Sequence, residues 1–258
     1  MVRRWLLAFR EARERRALAR RPIPDLLWRR TLRRFPFLAL ADAADGAELQ
    51  RLTRLFLDQK EFSAAGGLRL SDDIAVAIAA QACLPVLRLG LAPYSAFVGI
   101  VVHAGQVVAR REVTDDDGVV HDYDEVLAGE AMEGGPVMLS WSDVRRAGRT
   151  RSQGYNVVIH EFAHVLDMGD GTADGMPPLP PDQRSHWQQV LRQDYEDFCR
   201  RVDADEPTAL DPYGAENPGE FFAVASEAFF VSPRPMRAEH PALYRLLAGF
   251  YRQDPAAA

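Results

Sequence analysis

Residues 157–167 read Val-Val-Ile-His-Glu-Phe-Ala-His-Val-Leu-Asp, an apolar run broken by two imidazoles and a carboxylate. The apolar residues recur at helical spacing, and positions four apart on a helix stand one turn apart on the same face. His160 and His164 therefore share a face, and neither they nor Glu161 can be buried cheaply without partners. A fold that contains this helix must bring to that face something that satisfies two ring nitrogens at once. One metal ion about 2 Å from each nitrogen does so, with Glu161 beside the ion but not bound to it. With six His and 15 Glu among 258 residues, a shuffled chain would show this spacing about 0.008 times.

Such a site takes its third ligand from histidine or carboxylate, because Cys83 and Cys199 are too few for a thiolate site or a disulfide framework. Both cysteines read as buried, inert thiols. A metzincin would need Gly at 167 and His at 170, where this chain has Asp167 and Asp170. Asp170 stays a candidate. Further on, the apolar stretch Asn217–Phe230 carries Glu220 and Glu227 seven residues apart, on one helical face. Asn217, Pro218 and Glu220 also suit a helix cap, a first residue and a capping-box glutamate, so Glu220 has a structural reading beside the ligand one. Asp167 is placed either to accept the free ring N–H of His164 or to end the helix. His103, His121, His186 and His240 have no second ligand at metal spacing and read as surface histidines.

Around this segment the pattern is α+β, mostly helical with a small mixed sheet. Residues 1–90 read as a helical region packing on a core of residues 91–258, the whole forming one continuous unit. Asp25 is placed to cap a helix through Arg34, Ala44–Lys60 carries Leu49, Leu52, Leu55 and Phe56 at helical spacing, and Ile74–Leu84 ends at Pro85. Tyr94–Val102, Gln106–Glu112 and Pro136–Trp141 are short strand-like runs. Asp115–Gly118 lacks the ligand spacing of a calcium loop and reads as a turn. Helices follow over Asn156–Asp167, stopped by Gly169, and over Arg184–Val202, Asn217–Phe230 and His240–Tyr251. Gly169–Pro181 is a Gly/Pro loop, either a lid or a surface excursion. Val137–Ser140 is expected at the sheet edge, where an extended substrate could add a strand. Trp141 and Trp187 read as packing residues.

His-Glu-Phe-Ala-His with Asp three residues later, together with Asn-Pro-x-Glu-Phe-Phe-Ala-Val-x-Ser-Glu whose first Glu stands 56 residues after His164, resembles the Mlc titration factor A family of bacterial zinc peptidases. That family is similar in turn to the catalytic domain of anthrax lethal factor, a gluzincin. The resemblance runs from about Gly129 to Phe230 and includes Gly135-Pro136-Val137-Met138-Leu139-Ser140-Trp141. It implies a zincin-like unit with one zinc ion per chain, held by His160, His164 and Glu220, with Glu161 as general base and Tyr213 facing the reacting carbonyl. It also implies two activities: hydrolysis of peptide or protein substrates, and binding of a glucose-responsive transcriptional repressor. A regulatory binding module with a structural or vestigial zinc site is the alternative.

The net charge of −6 hides two opposite parts. Residues 1–34 hold 12 Arg against Glu11, Glu14 and Asp25, and the remainder carries a net −15. An arginine-rich terminus suits nucleic acid or anionic lipid, but here the charges surround the helix and the apolar face is thin. It is expected to be a solvated helix paired with the acidic body, with no nucleic-acid or membrane partner. Trp5–Phe9 is shorter than the apolar core of a signal peptide, so a cytoplasmic protein is expected.

Overall fold

The computed structural model describes residues 2–114, 120–132, 134–147 and 154–257. Ten helices and six strands appear among them. In chain order they are α1 (Val2–Arg20), α2 (Asp25–Arg34), α3 (Ala43–Gln59), β1 (Glu61–Ala65), α4 (Asp72–Cys83), β2 (Gly99–His103), β3 (Val107–Thr114) and β4 (Val120–Leu127). They continue with β5 (Gly129–Ala131), β6 (Val137–Ser140), α5 (Trp141–Ala147), α6 (Val157–Asp167), α7 (Pro181–Asp203), α8 (Pro218–Val231), α9 (Pro233–Glu239) and α10 (Pro241–Tyr251). The architecture is α+β and mostly helical, as the periodicity predicts. The expected turn at Asp115–Gly118 lies outside the described residues.

Four strands make a mixed sheet in the order β1-β2-β6-β5, parallel from β1 to β6 and antiparallel between β6 and β5. The expectation that Val137–Ser140 forms the edge is therefore wrong. β6 is paired on both sides, and the outer strand is β5, whose Gly-Glu-Ala sequence has no strand propensity to reveal it. β1 escapes sequence reading for a similar reason, being five residues long without a β-branched side chain. Because β1 pairs with β2, residues 61–65 share a sheet with residues 99–103. β3 and β4 form a separate antiparallel ribbon.

One buried apolar cluster runs from Phe35 to Ala256. At its centre the ring of Phe162 on α6 meets Phe56 of α3 at 5.6 Å, Tyr94 at 5.0 Å and Phe97 at 5.8 Å. These edge-on and tilted contacts fasten the helix carrying His160 and His164 to the layer beneath it. Lys60 closes the same knot, its buried ammonium donating to the Tyr94 and Phe97 carbonyls over the Phe97 ring. Trp141 and Trp187 pack as expected, Trp187 buried and Trp141 partly so beneath Arg34.

Helix ends differ in detail. Asp25 is the first residue of α2 after Pro24, not its cap. α6 is followed by a 3-10 turn at Met168–Asp170, and it is Gly171, at φ +94°, that turns the chain. Gly169 instead makes room for Pro178. At the arginine-rich end, α1 is held to α3: Arg51 pairs with Glu14, Arg20 lies 3.2 Å from Asp58, and Arg54 donates to the Leu18 and Arg21 carbonyls. Among the described residues no helix is long and apolar enough to cross a membrane.

Replacing Phe162 by Ala removes the hub of this packing. The loss expected in denaturant unfolding is about 3–5 kcal/mol, typical of a fully buried aromatic.

Candidate metal centre

Two asparagine caps start the helices that make the site. Asn156 accepts the Ile159 N–H at 3.0 Å and opens α6; Asn217 accepts the Glu220 N–H at 3.0 Å and opens α8, with Pro218 as first residue. α6 buries Val157, Val158, Ile159, Phe162, Ala163 and Leu166 and turns His160 and His164 to its other face. The Glu220 carboxylate does not fold back on its own cap. Its Oε2 lies 3.0 Å from His160 Nε2 and its Oε1 3.3 Å from His164 Nε2, while the two Nε2 atoms are 3.1 Å apart. The cap and the inward-turned carboxylate are thus compatible.

Behind this triangle stands Glu227. One of its oxygens lies 2.8 Å from His160 Nδ1 and the other accepts the Asn156 backbone N–H, so it sits outside the triangle as a buried support. With the proton at Nδ1, the lone pair of His160 points from Nε2 to the centre. The polar chain continues inward: Asn156 Nδ2 donates to Gln81 Oε1 at 2.9 Å, and Gln81 donates to the Ala77 carbonyl at 3.0 Å. Asp170, the remaining ligand candidate, is exposed and bonds Thr172.

Asp167 takes the helix-end role. Its Oδ2 accepts the Gly175 N–H at 2.8 Å, and Trp187 donates to the Gly175 carbonyl at 2.9 Å. Gly175 has φ +81°, and a Cβ there would come within 2.5 Å of the Pro218 carbonyl oxygen; one on Gly219 would meet Ala173 O at 2.7 Å. Only glycines permit this approach. The 169–181 loop is thereby fastened to the start of α8, directly under Glu220.

Glu161 is 5% exposed and lies against the edge strand, where a Cβ on Gly129 would be 2.5 Å from its Oε1. The Ala131 N–H also hydrogen-bonds it. Sequence reasoning missed Gly129 and Ala131, and the one available signal, a glycine before an acidic residue, is too common to single them out. Tyr213 sits in the turn Pro212–Ala215, its N–H held by Asp211 at 3.0 Å. Its half-exposed ring lies 6.1 Å from the His160 ring.

Of the other histidines, His186 is exposed and His103 partly so. His240 is not a surface residue: it is buried against Phe198 and Phe221, with Asp194 3.9 Å from its Nδ1. Its place just before Pro241, ahead of an apolar helix, draws it inward. The side chain of His121 lies outside the described residues. Cys83 is a buried free thiol and Cys199 a half-buried one.

The profile of the family described as glucose-regulated metallo-peptidase M90 matches residues 9–252. The chain belongs to this family. Relatives include slr2042 of Synechocystis sp., 36% identical over 92% of this chain and 87% of its own. Mlc titration factor A of Edwardsiella ictaluri is 38% identical over 85% of each chain, and that of Salmonella arizonae 34% over 90% of this chain and 92% of its own.

In this M90 chain the donor set fits a metal ion. The two ring nitrogens lie 3.1 Å apart, with one Glu220 oxygen 3.0 Å from the first and the other 3.3 Å from the second, close to the roughly 3.3 Å edge of a tetrahedron whose bonds are about 2.0–2.1 Å. Burial alone would lower the His160 pKa, but the Glu220 and Glu227 carboxylates outweigh it and raise it well above the usual imidazole range. For Glu220, burial is likewise outweighed by the two imidazoles, which pull the carboxyl down to about 2. Burial pushes Glu161 up to about 8, against the pull of His160. Such a cluster stores proton or cation affinity, and a metal displaces the proton.

Two outcomes follow. Glu227→Gln should weaken metal binding about 10–100-fold in a chelator competition while the fold is retained. In the metal-free protein, the buried Glu161 keeps its proton up to about 8 whereas an unfolded glutamate loses it near 4.5. Stability therefore falls as pH rises through that window. Thermal melts should show Glu161→Gln gaining on the parent from pH 5 to pH 8.

Proposed function

We propose that the protein is a zinc-dependent metallopeptidase. The observation that carries this reading is the convergence of His160, His164 and Glu220 on one point with a second buried carboxylate, Glu161, one residue from a ligand. Two neutral nitrogens and one carboxylate are a zinc donor set that leaves a fourth position open. Zinc held there supplies Lewis acidity and a bound water that ionises near neutral pH.

The chain's own groups divide the remaining work. Glu161 takes a proton from the attacking water and returns it to the departing amine, a role suited to a carboxyl that burial has made more basic. The Tyr213 hydroxyl donates to the oxyanion as it develops. Strand β5 is the outer strand of its sheet and begins at Gly129 against Glu161. An extended peptide that adds to this edge lays its carbonyl beside that carboxylate.

That relatives are Mlc titration factors A supports a second role, binding of a transcriptional repressor of the Mlc kind. A chelator separates the two: hydrolysis must vanish with the metal, whereas repressor capture need not.

Glu161→Gln should lose peptide turnover while retaining one metal per chain, and full activity in that variant overturns the mechanism. Tyr213→Phe should lower kcat about 10²–10³-fold with KM little changed, the usual cost of one oxyanion donor.

A further inference from the structure

A cavity of about 910 Å³ opens at the C-terminal end of α6, and nothing in the site described so far uses it. Its position is set by two elements that also build the candidate active site. Val165 stands one turn beyond Glu161 on the same helical face, and Met168 follows one residue short of a further turn. Met132, which directly follows the last residue of β5, forms the opposite wall. The cavity therefore lies just past the end of β5, on the side of α6 that carries Glu161.

Its chemistry is one-sided. Among the described residues Phe97, Val165, Met132 and Met168 line it, and no lysine, arginine or histidine does. Asp170 is the ionisable side chain among the described residues of its wall. Two methionines give a wall that adapts to shape without offering a specific polar partner. An acidic side chain would meet a carboxylate and no cation there; a large apolar one would leave water for an apolar lining.

Direction follows from the strand. β5 runs from Gly129, beside Glu161, toward Met132, beside the cavity. A peptide added antiparallel, the more stable pairing, runs the opposite way. Residues on the amino side of the cleaved bond then lie toward Met132, and alternate side chains point to the same face.

We infer that this cavity is a specificity pocket for a large apolar side chain, such as leucine, methionine or phenylalanine, on the amino side of the bond that is cleaved. The inference rests on the metallopeptidase reading above and names its substrate class. Ala96, an exposed residue in the cavity wall, offers a test that leaves the metal centre and the core intact.

The experiment is cleavage of a mixture of peptides by the metal-loaded protein, read by mass spectrometry, with and without chelator. It is repeated with Ala96→Trp, whose melting temperature is checked against the parent. Chelator-sensitive cleavage should favour large apolar residues on the amino side over serine or alanine by tenfold or more, in the range one pocket supplies. Ala96→Trp should erase that preference through KM. In Glu161→Gln, which holds peptides uncut, a leucine-bearing peptide should bind at least tenfold tighter than its serine counterpart, and the added Ala96→Trp should remove the difference. Cleavage that depends on metal but selects lysine or arginine through Asp170, selects only on the carboxyl side, or keeps its preference in Ala96→Trp overturns the pocket and leaves the metallopeptidase reading standing. Absence of any chelator-sensitive cleavage overturns that reading, and the pocket with it.

Discussion

Three lone pairs that repel one another face a single point between α6 and α8. The Nε2 atoms of His160 and His164 are 3.1 Å apart, one Glu220 oxygen is 3.0 Å from the first and the other 3.3 Å from the second, and without a positive charge among them the arrangement is costly. Much of the surrounding structure can be understood as what holds them there. Each helix is started by an asparagine whose side chain takes an N–H of the first turn, fixing where the helix begins and so which residues share its inner face. Glu227 then ties the two helices together, since one carboxylate receives the His160 ring from α6 and the backbone N–H of that helix's own cap.

Burial is what makes the neighbouring carboxylate useful. Glu161 is one residue from His160, yet it points to the sheet, where the absence of a side chain on Gly129 leaves room for it. A larger residue at 129 would displace the carboxylate from the strand edge. The same low-polarity surroundings that raise its pKa would strengthen its interaction with a nearby cation. The edge strand and the Glu161 carboxylate are thus a single constructed unit, joined by the Ala131 N–H.

The metal helix was legible in the sequence because its signal is local: two histidines four apart in an apolar run need no knowledge of the rest of the fold. Glu220 was only partly legible. Its seven-residue partner Glu227 lies on the same face, and periodicity cannot say which of two carboxylates turns toward the histidines and which stands behind them. Family resemblance separated the two, and in the structure it is Glu220 that lies against the Nε2 atoms of both histidines while Glu227 meets His160 Nδ1. Strand order was not legible. β6 carries the β-branched and apolar residues of a strand and therefore looked like the edge a substrate would meet, but Gly129–Ala131, which has none of those marks, lies outside it. Short strands are defined by what they pair with, and pairing between residues 129 and 139 is invisible to a window of neighbours. His240 failed for the converse reason: a polar residue at the start of an apolar helix was carried inward by Phe198 and Phe221, packing that no spacing rule records.

The glycine-rich segment after α6 shows how composition can mislead about motion. Glycine and proline permit a hinge, yet here the glycines serve contact. Gly175 gives its N–H to Asp167 and its carbonyl to Trp187, and both it and Gly219 lie so close to opposing backbone that a single Cβ would collide. Swinging this segment away would break two buried hydrogen bonds and expose Asp167, whose carboxyl already lies in surroundings that raise it to about 7. It would also undercut Pro218 and Gly219, on which Glu220 stands. A segment so bound to the support of Glu220 is poorly suited to gate the site. Access is better sought on the opposite side, along β5 and past the half-exposed ring of Tyr213, where no such support has to be broken.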